Sequence, residues 1–145
     1  MLPIDYIVSS LQPLAFDGVA PYDWDEFLAL MPEGFDVPDA AAGIGSLRWR
    51  DLETQLRNAM AAARGGDRHS RITAAFQEKN PLKRESLIDR VWWDAAGELT
   101  PVSAPLSMGA LETYAIRLQI VLKRNRIEKD AGDAVFDRLT ATIEP

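Results

Sequence analysis

From residue 46 onward, apolar residues return every three or four positions, and glycine or proline cuts the pattern wherever it would otherwise run on. That period matches the 3.6-residue turn of an α-helix and not the two-residue alternation of a half-buried strand. Trp49, Leu52, Leu56, Ala59, Met60 and Ala63 make one such face, with Glu53 and Arg57 paired on the other side and Gly65-Gly66 closing the segment. A shorter helix passes through Ile72 and Phe76. Asn80 and Pro81 open the next: asparagine can cap a helix, and proline suits the first position because its missing N–H would be unpaired there. Leu82, Ile88, Val91, Trp92 and Ala95 line its inner face up to Gly97, and Pro101 and Pro105 stiffen the following linker. Ser107 is placed to cap a helix from 108 to about 126, with Leu106 packing on Leu111 as a hydrophobic staple. This helix carries Leu111, Tyr114, Ala115, Leu118, Val121 and Leu122 on one side and Ile116 and Ile120 on another, which marks it as central. Lys123, Arg124 and Arg126 fall in its last turn, where positive charge suits the helix dipole. A final helix from about Asp130 turns Val135, Phe136, Leu139 and Ile143 inward.

The first 45 residues read differently. The β-branched run from Ile4 to Leu11 predicts a short strand or extended lead-in, and Pro13, Gly18 and Pro21 punctuate a turn. Asp23 and Glu26 have the spacing of a capping box before Phe27, Leu28, Leu30 and Met31, and Pro32 ends that short helix. The fold expected is all-α: a bundle of five to six helices with a short extended N-terminal segment. It forms a single helical domain over 1–145, with an acidic N-terminal segment at 1–45 and a helical core at 46–145. A chain of 145 residues is long enough to bury a core without metals or disulfides.

The absence of cysteine excludes thiol catalysis, zinc–thiolate sites and iron–sulfur ligation, and fits a reducing compartment. The net charge is −6, and residues 1–40 hold eight acids and no lysine or arginine. That balance argues against a nucleic-acid partner. The acidic end is either a solvated face or a surface that docks on a basic partner. No apolar window reaches the length of a membrane span, and the opening residues lack the pattern of a signal peptide. The expected location is cytoplasmic, peripheral to a membrane only through a partner complex.

No set of residues makes a credible catalytic centre. His69 is the only histidine and stands in a polar loop, so it cannot form a multi-histidine metal site. Gly43, Gly45, Gly65 and Gly66 do not continue into a phosphate-binding pattern. Asp130, Asp133 and Asp137 are the nearest approach to a carboxylate cluster, and their spacing is that of a solvated helix flank. A metal-dependent or small-ligand enzyme built on them is the remote alternative. Glu85 and Asp89 share a helix flank beside Arg84 and Arg90. Catalytic residues, cofactors and metal ligands are all expected to be none.

Features suited to binding are better represented. Trp92 and Trp93 sit about 100° apart around a helix axis, so both cannot face one core. Trp92 matches the inner face, which leaves Trp93 at the margin, as an interface anchor or packed under the Pro101–Pro105 linker. Lys123, Arg124, Arg126 and Lys129 form a basic cluster that is either a solvated helix end or a second contact surface.

The run Phe76-Gln77-Glu78-Lys79-Asn80-Pro81-Leu82-Lys83-Arg84-Glu85, with Ile88-Asp89-Arg90, Trp93-Asp94 and Glu98-Leu99-Thr100 after it, resembles a small bacterial family. So do Leu111-Glu112-Thr113-Tyr114-Ala115-Ile116-Arg117-Leu118-Gln119-Ile120, Phe136-Asp137-Arg138-Leu139, the opening Tyr6-Ile7-Val8-Ser9-Ser10-Leu11 and the Phe16-Asp17-Gly18 turn. The family is encoded among the subunits of V/A-type (vacuolar/archaeal-type) rotary ATPases. The resemblance implies a partner, that ion-transporting ATPase, and brings no catalytic residues with it. It suggests a non-catalytic accessory or stalk-associated subunit, or alternatively a transient assembly factor or regulator.

Overall fold

In the computed structural model, Asp23 and Glu26 close a reciprocal cap. The Glu26 amide donates to Asp23 Oδ1 at 2.7 Å, and the Asp23 amide donates back to Glu26 Oε1 at 3.3 Å. Asn80 Oδ1 accepts from the Leu82 amide at 3.0 Å, with Pro81 as the first helical residue. Both helix starts therefore use the side chains the sequence offers. The structure describes residues 2–35, 37–38, 47–64, 74–75 and 77–143, with side chains described over 2–35, 37–38, 50–58, 74–75 and 77–131.

Five helices follow in order: α1 (Ile4–Ser10), α2 (Trp24–Leu30), α3 (Leu47–Arg64), α4 (Pro81–Ala96) and α5 (Met108–Ile143), with a 3₁₀ turn at Gly97–Leu99. The described residues contain no strand, and the fold is all-α. Most of the expected short helix through Ile72 and Phe76 lies outside the described residues, as do His69 and the glycines at 43, 45, 65 and 66.

Helix α5 is the hub. Leu111, Ala115, Leu118 and Val121 are fully buried along it. Ile116, Ile120 and Val121 pack with Trp93, Ala96 and Leu99 of α4 and the 3₁₀ turn. Ala115 and Leu118 pack instead with Phe27 of α2 and with the N-terminal segment. On its far side α4 meets α3, where Val91 packs with Leu56, and Leu52 and Trp92 border the contact.

Close approach of α5 to the 3₁₀ turn needs Gly109: a Cβ there would fall on the Leu99 carbonyl oxygen. One turn later the buried Thr113 hydroxyl donates to the Ala96 carbonyl at 2.8 Å and accepts from the Thr100 hydroxyl at 2.6 Å. The α4–α5 corner is thus fixed by one missing side chain and one shared hydroxyl.

Three details differ from the sequence expectation. Residues 4–10 are helical and not extended. A lone strand would leave its backbone groups without partners in an all-α chain, whereas the helix buries Ile7 and lets Ser9 Oγ donate to the Asp5 carbonyl at 2.8 Å. The last two expected helices are one, because no proline interrupts 106–144 and a single glycine costs only about 1 kcal/mol in a helix interior. Ser107 does not cap: its Oγ is buried without a hydrogen-bond partner among the described residues, and Leu106 is largely exposed.

Replacing Gly109 with Ala should lower unfolding stability by about 1–3 kcal/mol, the range for overpacking, and toward its upper end because the clash is with backbone. Asn80→Ala should cost about 1 kcal/mol. Urea denaturation of the two variants beside the parent chain tests that order.

Candidate functional site

The residues that carry charge and aromatic surface converge where α4 and α5 meet the loop between α1 and α2. Glu85 and Asp89, one turn apart on α4, both face Lys123 of α5. Lys123 Nζ donates to Asp89 Oδ1 at 2.6 Å and to Glu85 Oε1 at 2.7 Å. Arg124, the next residue, donates to Ser86 Oγ at 2.9 Å and to Asp17 Oδ1 at 3.1 Å, while its Nε is buried with no hydrogen-bond partner among the described residues.

Cations and rings alternate across the same surface. The Arg124 guanidinium lies 4.0 Å and that of Arg90 5.0 Å from the centre of the Phe16 ring. Phe16 meets Trp93 edge to face at 5.5 Å. Arg117 lies 4.9 Å over the Trp93 ring and donates its Nε to the Trp93 carbonyl at 3.1 Å. Each cation–ring contact is worth about 0.5–2 kcal/mol, more where water is excluded. Asn125 completes the attachment, accepting from the Ala20 amide at 2.9 Å and donating to the Gly18 carbonyl at 3.0 Å.

Burial raises the Asp89 carboxyl above its ordinary value, with the Lys123 hydrogen bond only partly offsetting the loss of water. Burial also pulls Lys123 down, but its bonds to Asp89 and Glu85 outweigh that, and its ammonium is held above its usual range. The two partners differ because the Asp89 side chain is 6% exposed and that of Lys123 34% exposed. Lys123 also answers to two acids.

Five residues were candidates for partner contact, and the structure separates them. Trp93 is buried in the α4–α5 core at 7% exposure, while Trp92 is half-buried toward α3. The two tryptophans do point in different directions, but α4 is flanked by a helix on each side, so Trp93 is not left outside. Lys123 and Arg124 are occupied by Asp89, Glu85, Ser86 and Asp17. Their position is mid-helix, so the helix-end dipole argument does not apply to them. Arg126 and Lys129 are exposed.

A groove of about 220 Å³ runs beside the ion pairs, with Leu82, Ile127 and Ala131 as apolar wall and Glu85 and Glu128 as acidic rim. Leu82, expected inside, is 69% exposed here. Phe16 and Arg117 entered the sequence reading only within the motifs that carry the resemblance, and Asn125 had no signal of its own.

Among the described residues no three His, Cys, Asp or Glu side chains come together to hold a metal, and no helix is long and apolar enough to cross a membrane. Asp130 is exposed, and the side chains of Asp133 and Asp137 lie outside the described residues. Compared with family models, curated proteins and solved structures, the chain has no match.

Stability should fall at alkaline pH, through two groups of the same sign. Lys123 is held above 10.5, so the folded state keeps that proton longer than the unfolded chain does. The stabilisation is complete below pH 10.5 and is lost as pH rises through the folded value. Burial likewise raises the Tyr114 phenol above 10.0, and its hydroxyl donates to the Gln12 carbonyl at 2.6 Å. Lys123→Met should cost about 2 kcal/mol at neutral pH by leaving Asp89 unpaired. It should also flatten the loss between about pH 10 and 11, as measured by denaturation at stepped pH.

Proposed function

We propose that this chain is a non-catalytic, protein-binding accessory subunit of a V/A-type rotary ATPase, held at the stalk by contacts from α5. The resemblance described above supports the identity of the partner. The observation that carries a binding role is the course of α5 itself: every residue from 126 to 131 is exposed, beyond the point where Asn125 ties the helix to the N-terminal loop. A helix that continues past its own core presents side chains on all flanks to whatever lies next to it. Arg126 and Lys129 are the basic contacts on this stretch, and Ile127 borders the groove with Leu82.

A tagged copy expressed in the native bacterium should retain rotary-ATPase subunits in near-equal amount, with recovery falling as salt is raised and exposed charges are screened. The double variant Arg126→Glu, Lys129→Glu should weaken that recovery about tenfold while leaving the helical circular-dichroism signal unchanged. Recovery well below one copy per complex would replace the subunit with a transient assembly factor, and recovery of no ATPase subunit would overturn the proposal.

A further inference from the structure

A second, open cavity is lined by α1, the segment that follows it, Trp93 and the first half of α5. It measures about 360 Å³ and its wall is mostly apolar, formed by Val8, Leu11, Leu14, Ala110 and Trp93. That volume is within the range of small-molecule sites. Among the described residues Arg117 is the only charged side chain lining it.

We propose that this cavity binds a small monocarboxylate with a hydrocarbon tail, its carboxylate on the Arg117 guanidinium and its tail against Val8, Leu11 and Leu14. The chemistry follows from what the lining can and cannot supply. Thr113 has its proton on the Ala96 carbonyl, and Tyr114 has its proton on the Gln12 carbonyl. Neither can donate to a ligand, which leaves the Gln12 amide and the Trp93 indole N–H beside Arg117 among the described lining residues, too few groups to pair the hydroxyls of a sugar or other polyol. A phosphate would bring a second negative charge with no second lining cation to meet it. A neutral hydrocarbon would leave the guanidinium facing an apolar space. A carboxylate matches the planar fork of arginine, which can offer two parallel N–H donors.

The Arg117 side chain is held in place before any ligand arrives. Its Nε is fixed on the Trp93 carbonyl and its plane is supported by the Trp93 ring, so little side-chain freedom remains to be lost on binding. Burial, countered in part by Asp94 and reinforced by Arg90, already disfavours its charge, which an incoming anion would relieve. The volume of about 360 Å³ leaves room for a medium-length hydrocarbon tail.

The test is titration of the full chain with octanoate, followed by calorimetry and by thermal unfolding, with octan-1-ol as the uncharged probe. Octanoate should bind and raise the unfolding temperature, and octan-1-ol should bind at least tenfold more weakly. Arg117→Gln should abolish the difference between the two probes. Because Arg117 also packs on Trp93, a second variant is needed that spares it. Ala110→Leu fills the cavity from α5 and should reduce octanoate binding at least tenfold in a protein that still unfolds cooperatively. No octanoate binding at millimolar concentration would overturn the proposal. So would equal binding by the parent chain and folded Ala110→Leu, or equal affinity for the acid and the alcohol.

Discussion

Two seven-residue helices cannot sustain themselves in water, and the described residues ahead of α3 therefore take their shape from α5 and the Trp93 edge of α4. Isolated helices shorter than about 12–15 residues are marginal even with favourable sequences. Here α1 and α2 are seven residues each, joined by a loop without regular structure. Phe27 is fully buried and stacks near Tyr114 at 5.6 Å. Asn125 pairs with two backbone groups of the loop, and Gln119 donates to the Pro38 carbonyl. Apolar contact supplies the driving force, and the polar ties decide where along α5 the segment sits.

The charged junction works by a similar division. Taking the Asp89 carboxylate out of water costs several kcal/mol, and attraction to Lys123 returns that only when the geometry is good. The same pair replaced by apolar residues of equal volume could be as stable. Its geometric effect is to lock α4 against α5 in one register: Glu85 and Asp89 straddle one lysine, and Ser86 and Asp17 share one arginine. Two of the basic residues that look like a docking surface in the sequence, Lys123 and Arg124, are in this fold internal clamps.

What the sequence made legible was whatever depends on neighbours in the chain. The Asp23–Glu26 box, the Asn80-Pro81 start and the two-flanked character of α5 all follow from local spacing. What failed depended on partners far away in sequence. The β-branched residues of α1 favour extension on their own and become helical because Ile7 has α5 to bury against. Trp93 reads as surplus until α4 is known to lie between two helices. Lys123 and Arg124 read as a helix end, because the acids that claim them are on α4 and in the first loop. Phe16, Arg117 and Asn125 fall on no periodic face, since a single side chain at a junction has no period. The Arg117 cavity was invisible for the same reason: its walls come from three separated stretches of chain.

The length of α5 has a mechanical side. Its 36 residues span about 54 Å at 1.5 Å per residue, and roughly half of that lies beyond Asn125. A rod of this kind is a lever whose fulcrum is the core around Leu118 and Val121. A tilt of about ten degrees at the fulcrum would carry the far tip some 5 Å sideways, by the same helical rise. A small reorientation of the folded body would therefore appear as a larger displacement at the distal end of α5.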